Sequence, residues 1–249
     1  MSLTKTLIAL LVATSLVGCT APAAPTSTTL TVFAGASLKG AFTTIGANYT
    51  AAHPDTTVSF SFDGSSTLVD QLKGGARADV FASADEANMT KATDASLISG
   101  TPTIFAANTL TLVVPPGNPG HVTGLDDSLT GAKLVICARG VPCGNATATL
   151  AMMRGVTLRP VSEEQKVTDV LGKVTSGEAD AGIVYATDAD SAGDKVMTVA
   201  IDGAESVINR YPIGVTASST QLPAARAFVD YVTGPAGQAV LTDYGFDKP

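Results

Sequence analysis

The chain alternates between two kinds of segment, and that alternation limits what it can become. Apolar, β-prone runs lie near residues 30–34, 57–62, 79–83, 109–114, 133–137, 181–185 and 196–201. Between and after them come segments of helical periodicity near 38–52, 66–74, 85–95, 145–154, 163–176 and 223–233. Parallel strands need a crossover long enough to hold a helix. The pattern therefore predicts an α/β fold with mixed, mostly parallel sheets. No internal repeat is visible in the sequence. Two extended pieces break the rhythm, Asn108–Pro115 and Arg210–Thr216. Read as hinge crossings, they divide the chain into two α/β lobes, 30–110 plus 208–249 and 111–207, with a ligand cleft between them.

The first eighteen residues stand apart. Lys5 precedes a short apolar run, Leu7–Val12, and Leu16-Val17-Gly18-Cys19 ends the segment. This reads as an export signal, too short to span a membrane. Its end is similar to the lipobox of bacterial lipoproteins, which implies cleavage before Cys19 and acylation of that cysteine. The alternative is an ordinary signal peptide cut near Ala21 or Ala24. Residues 19–29 hold small and polar residues and read as a flexible tether. Roughly 220 residues follow, enough for one large domain or two modest lobes.

The net charge is −7. Residues 1–18 carry one lysine and no acid, so the remainder is one unit more negative. No basic face marks a nucleic-acid binder. The two histidines, His53 and His121, lie beside Pro and Gly. No metal-ligand spacing is present.

Two serine corners carry more information. Leu30-Thr-Val-Phe-Ala-Gly-Ala-Ser37 and Val58-Ser-Phe-Ser-Phe-Asp-Gly-Ser65-Ser66 each pass from a strand through small residues to a serine, and each then opens a helix. A helix N-terminus presents unpaired N–H groups and partial positive charge, and a serine hydroxyl adds a donor without charge. Together the corners suggest a site for a small, fully deprotonated anion. Taken singly, Ser37, Ser65 and Ser66 read as ordinary N-caps.

Three further stretches offer donors. Cys137-Ala-Arg-Gly-Val-Pro-Cys143-Gly runs from a strand end through a turn to a helix start. Its two cysteines are expected to pair in an exported protein; a reactive thiol with a histidine partner is the alternative. Val167 falls in the first turn of the 163–176 helix. Tyr185 ends an apolar strand, with Asp188 expected to cap the next helix.

The ordered series Thr-Val-Phe-Ala-Gly-Ala-Ser-Leu (31–38), Gly-Ser-Ser-Thr-Leu (64–68), Ala-Asp-Val-Phe-Ala-Ser-Ala-Asp (78–85), Val-Pro-Cys-Gly (141–144), Gly-Ile-Val-Tyr-Ala-Thr-Asp-Ala (182–189), Tyr-Pro-Ile (211–213) and Tyr-Gly-Phe (244–246) resembles the periplasmic molybdate-binding proteins of bacterial ABC transporters. The resemblance covers almost all of the chain beyond the leader. It implies a non-enzymatic, monomeric receptor, without a cofactor, that takes molybdate or tungstate to a membrane permease. It implies ligation by the hydroxyls and N–H groups of Ser37 and Ser65, the N–H groups of Cys143 and Val167, and the Tyr185 hydroxyl. Two departures stand out: Cys143 where alanine is common, and Asp63-Gly64 before the second serine. Asp63 is expected to face away and cap its turn; facing inward, it would favour hydrogenphosphate. A sulfate or phosphate receptor is thus the alternative. An exported serine hydrolase is a third reading, short of a histidine base.

Overall fold

The computed structural model describes residues 27–249. The expected leader, Cys19 and most of the tether lie outside the described residues.

The first half runs β1 (Thr28–Gly35), a 3-10 turn (Ala36–Leu38), α1 (Lys39–Ala52), β2 (Thr56–Asp63), α2 (Ser65–Lys73), β3 (Val80–Ala82), α3 (Glu86–Asp94) and β4 (Ile98–Asn108). The second half runs β5 (Leu110–Val114), β6 (Leu134–Cys137), α4 (Pro142–Arg154), β7 (Ser162–Glu164), α5 (Val167–Thr175), β8 (Ala181–Tyr185), α6 (Ala186–Ala192) and β9 (Met197–Val199). The chain then returns through β10 (Asn209–Thr216), α7 (Leu222–Thr233) and α8 (Pro235–Asp243).

Two five-stranded sheets result, ordered β2-β1-β3-β10-β4 and β7-β6-β8-β5-β9. In each, three strands run parallel and two join antiparallel. The two lobes follow one plan although the sequence shows no repeat. β1-α1-β2-α2-β3 corresponds to β6-α4-β7-α5-β8, and in each sheet the strand that follows a crossing lies antiparallel beside this unit: β5 follows the first crossing, β10 the second.

Periodicity explains the packing. α1 buries Phe42, Ile45 and Tyr49 on one stripe in the core that also holds Val32, Ala34 and Val80. Phe33 and Phe81, one residue out of phase, face the other side with Leu68, Leu72 and Met89, as a period of two requires. Each such side chain taken from water contributes about 1.5–3 kcal/mol. In the second lobe α5 buries Val167, Val170 and Val174. A Cβ on Gly182 would lie 2.8 Å from Val174 and 2.9 Å from Val170, so the glycine lets α5 seat closely on β8.

Several expectations are corrected. β1 begins at Thr28, inside the expected tether. Ile98–Asn108 is a strand that its Gly100 and Pro102 concealed; it lies at a sheet edge, where a proline costs no inner ladder bond. Ser162–Glu164, of which Glu163 and Glu164 were expected to begin a helix, pairs in parallel with β6; tertiary pairing overrides local propensity here. α4 starts at Pro142, three residues early, because proline suits the first helical position. α8 was not expected. Asp188 does cap α6, but from its third position rather than from the N-cap: its carboxylate accepts the N–H of Tyr185 at 3.2 Å. Among the described residues no helix is long and apolar enough to cross a membrane.

Candidate functional site

The serines of the first lobe are not spent on capping. Gly35 precedes the 3-10 turn and Gly64 precedes α2, and neither helix start carries a side-chain cap bond. Ser65 is 1% exposed, and its Oγ accepts the backbone N–H of Ala84 at 2.9 Å. A backbone N–H can only donate, so the Ser65 proton remains to be given elsewhere. The Ser37 Oγ lies 3.1 Å from the Tyr211 hydroxyl.

The second lobe answers with equivalent corners. Cys137 and Cys143 form a disulfide with 5.7 Å between their Cα atoms. It closes the turn that leads into α4, which removes the reactive-thiol alternative. A Cβ on Gly144 would sit 2.0 Å from the Ala138 carbonyl oxygen, so only glycine lets the turn fold back so tightly. Cys143 is the second residue of α4 and Val167 the first of α5; first-turn N–H groups have no partner within their helix. Tyr185 ends β8, 1% exposed, with its hydroxyl accepting from Asn209 Nδ2 at 2.9 Å. Burial above all, with the neighbouring Tyr211, Asp85 and Asp188, holds its phenol well above the ordinary value of 10. It is a neutral donor at every physiological pH.

Ser37, Ser65, Cys143, Val167 and Tyr185 all line one cavity between the lobes. The cavity is about 10 Å³, barely the room for one water, so a tetrahedral oxyanion needs its walls to move apart. The lobes approach closely at its edge: a Cβ on Gly64 would fall 2.0 Å from the Gln165 carbonyl oxygen. Further out, Asp85 on the first lobe accepts from Asn145 Nδ2 of the second at 3.2 Å, and Asn88 Nδ2 donates to the Gly140 carbonyl at 3.1 Å.

No carboxylate lines the wall. The Asp63 carboxylate accepts the N–H of Gly64 at 2.8 Å, and neither Asp63 nor Ser66 reaches the cavity. Lys39 and Arg139 line other grooves. Lys166 borders the cavity, with its ammonium 4.0 Å from the half-exposed Asp169 carboxylate. Neither histidine lines the wall, and His53 stacks on Tyr49 at 4.3 Å between ring centres. Among the described residues no three His, Cys, Asp or Glu side chains cluster as a metal site.

Sequence reasoning missed Asn209, Tyr211 and Ala84, which stand behind the expected donors. A signal existed: Asn209 and Tyr211 alternate on a strand whose remaining residues, Arg210 apart, are buried and mostly apolar. A polar group in such a place must find a partner.

Known proteins resemble this chain in sequence and in fold. The molybdate-binding protein ModA of Mycobacterium tuberculosis is 47% identical over 231 residues, 92% of this chain and 88% of that one. ModA of Escherichia coli is 32% identical over 229 residues, 87% and 88% of the two chains. The periplasmic molybdate-binding protein of Azotobacter vinelandii superposes with a TM-score of 0.78 at 22% identity, over 88% of this chain and 99% of that one, which shows the shared fold. Residues 30–247 match the family described as bacterial extracellular solute-binding protein, and the chain belongs to that family.

Proposed function

We propose that the protein captures molybdate in the cleft between its lobes and delivers it to the permease of an ABC importer. Residues 30–110 plus 208–249 and 111–207 act as the two jaws. The observation that carries this reading is the meeting of five uncharged donors, two from one lobe and three from the other, on a single cavity without a carboxylate on its wall. A buried dianion needs every oxygen met by a donor, because unpaired buried charge is costly. Each charge-assisted bond contributes about 1.5–3 kcal/mol.

Hydrogenphosphate carries a proton that needs an acceptor, and the wall supplies no carboxylate for it. Between fully deprotonated anions the choice rests on size, and the names of the relatives favour molybdate over sulfate. Tungstate has nearly the same size and charge and is taken alongside. Acylation of Cys19 holds the monomeric protein at the outer face of the membrane, with the tether between anchor and lobes.

Calorimetric titration with molybdate, tungstate, sulfate and phosphate tests the reading. Tight binding of the first two, with sulfate weaker by tenfold or more and phosphate weakest, is expected. Preference for sulfate or phosphate would overturn it.

A further inference from the structure

Resting on that reading of the site, we infer that Asn209 and Tyr211, two residues apart on β10, are positioning residues that aim the hydroxyl protons of Tyr185 and Ser37 at the bound anion.

The direction of the Asn209 bonds follows from a group that can act in one sense only. Asn209 Nδ2 lies 3.1 Å from the Ala84 carbonyl oxygen and 2.9 Å from the Tyr185 hydroxyl. A carbonyl can only accept, so the amide nitrogen, not the oxygen, faces both partners. The Tyr185 oxygen must therefore accept from Asn209, which leaves its own proton for the anion or for the neighbouring Tyr211 hydroxyl.

The Tyr211 arm runs the same way. Asn108 Oδ1 accepts the N–H of Thr109 at 3.0 Å, which turns Asn108 Nδ2 toward Thr187 Oγ1 at 2.8 Å and the Tyr211 hydroxyl at 3.5 Å. With that amide on one lone pair, Tyr211 is able to give its proton to Ser37, 3.1 Å away, and we take the bond in that sense. Ser37 is then an acceptor toward Tyr211 and has its own proton free. Tyr211 is fully buried, held edge-on between Phe105 and Phe246. Burial raises its phenol well above the ordinary value, so this proton is not lost to solvent.

β10 thus sets two hydroxyls from two lobes. The Asn209 bond reaches from the first sheet to Tyr185 of the second, beside the crossing where Asn209 pairs with Asn108 and Tyr185 with Leu110. Together with the Ala84 N–H on Ser65, the arrangement leaves three hydroxyls able to donate and poorly able to accept.

A positioning role differs from a structural one in a double-mutant cycle on molybdate affinity. Tyr211→Phe removes one oxygen and keeps the ring. It should weaken molybdate binding about five- to tenfold in the otherwise native protein, yet less than about twofold in a Ser37→Ala background. Asn209→Ala should behave likewise against Tyr185→Phe. Should Asn209→Ala fail to fold, the Tyr211 arm alone decides. Freed to accept, the hydroxyls should also narrow the preference for molybdate over phosphate. Native affinity in Tyr211→Phe, or the same loss in both backgrounds, overturns the inference. If Ser37→Ala and Tyr185→Phe themselves bind as the native protein does, the reading of the site fails and the inference with it. If those two weaken binding while Tyr211→Phe and Asn209→Ala do not, the inference alone fails.

Discussion

The carboxylate of Asp188 accepts the backbone N–H of Tyr185 at 3.2 Å, so a buried acid holds in place a residue that lines the cleft. Burial pushes the Asp188 carboxyl up from 3.8 to about 7, the Tyr185 N–H opposing only part of the rise. The folded state therefore keeps a proton that the unfolded chain would lose near pH 4. Stability from that proton is complete below pH 3.8 and disappears as pH climbs through about 7. Asp188→Asn keeps an acceptor for the N–H and removes the titration. Denaturant unfolding at pH 5 and pH 8 should show the native protein losing about 2–3 kcal/mol more than the variant across that interval. An equal change in both would show that Asp188 does not titrate there.

Ser37→Ala and Ser65→Ala each remove a donor to the anion and should each weaken binding by about 1.5–3 kcal/mol. Their stabilities should differ. Ser65→Ala strands the Ala84 N–H, at a further cost of about 1–3 kcal/mol, whereas Ser37→Ala leaves Tyr211 beside Asn108. Thermal melts beside calorimetric titrations check both parts; equal melting temperatures would contradict the Ala84 bond.

Tyr185 comes from the second lobe and lines the cavity with Ser37 and Ser65 of the first. Tyr185→Phe should speed ligand release more than it slows capture, since affinity changes within one interface fall mostly on the off-rate. Stopped-flow kinetics would show it; a normal off-rate with a slowed on-rate would exclude the lid role.

Reducing the Cys137–Cys143 disulfide should cost about 2 kcal/mol by the chain-entropy model for so short a loop. It should also weaken binding, because the bridge stiffens the turn that presents the Cys143 N–H. Titrations with and without reductant, with alkylation to verify the thiol state, test this. Unchanged affinity after complete reduction would mean that Gly144 and Asn145, whose side chain accepts the Gly140 N–H at 3.0 Å, hold the turn unaided.

The residues legible in the sequence share one property: their role is local. Ser37, Ser65, Cys143 and Val167 each follow a strand and begin a helix, and that signature lies within ten residues of chain. Tyr185 ends a five-residue apolar strand. What stayed hidden depends on distant partners. Tyr211 reaches Ser37 across 174 positions and Asn209 reaches Ala84 across 125, and no local pattern encodes such a pairing. The same holds for β7, whose Ser162-Glu163-Glu164 is extended only because β6 lies beside it. β4 was masked by residues an edge strand tolerates. The repeated plan of the lobes was invisible because different residues build equivalent corners: Gly-Ala-Ser in one, Val-Pro-Cys in the other.

The central claim is that uncharged donors alone hold the anion. Salt screens exposed charges strongly and buried hydrogen bonds weakly. Molybdate affinity should therefore shift by less than about threefold, under about 0.7 kcal/mol, when sodium chloride rises from low to physiological strength. The acidic surface, net −7 over the whole chain, should make capture no slower at the higher salt. Calorimetric titration at the two salt concentrations is the direct measurement. A near-constant affinity is the predicted result; a tenfold loss would mean that Lys166, Lys39 or Arg139 contacts the ligand, and would contradict the account.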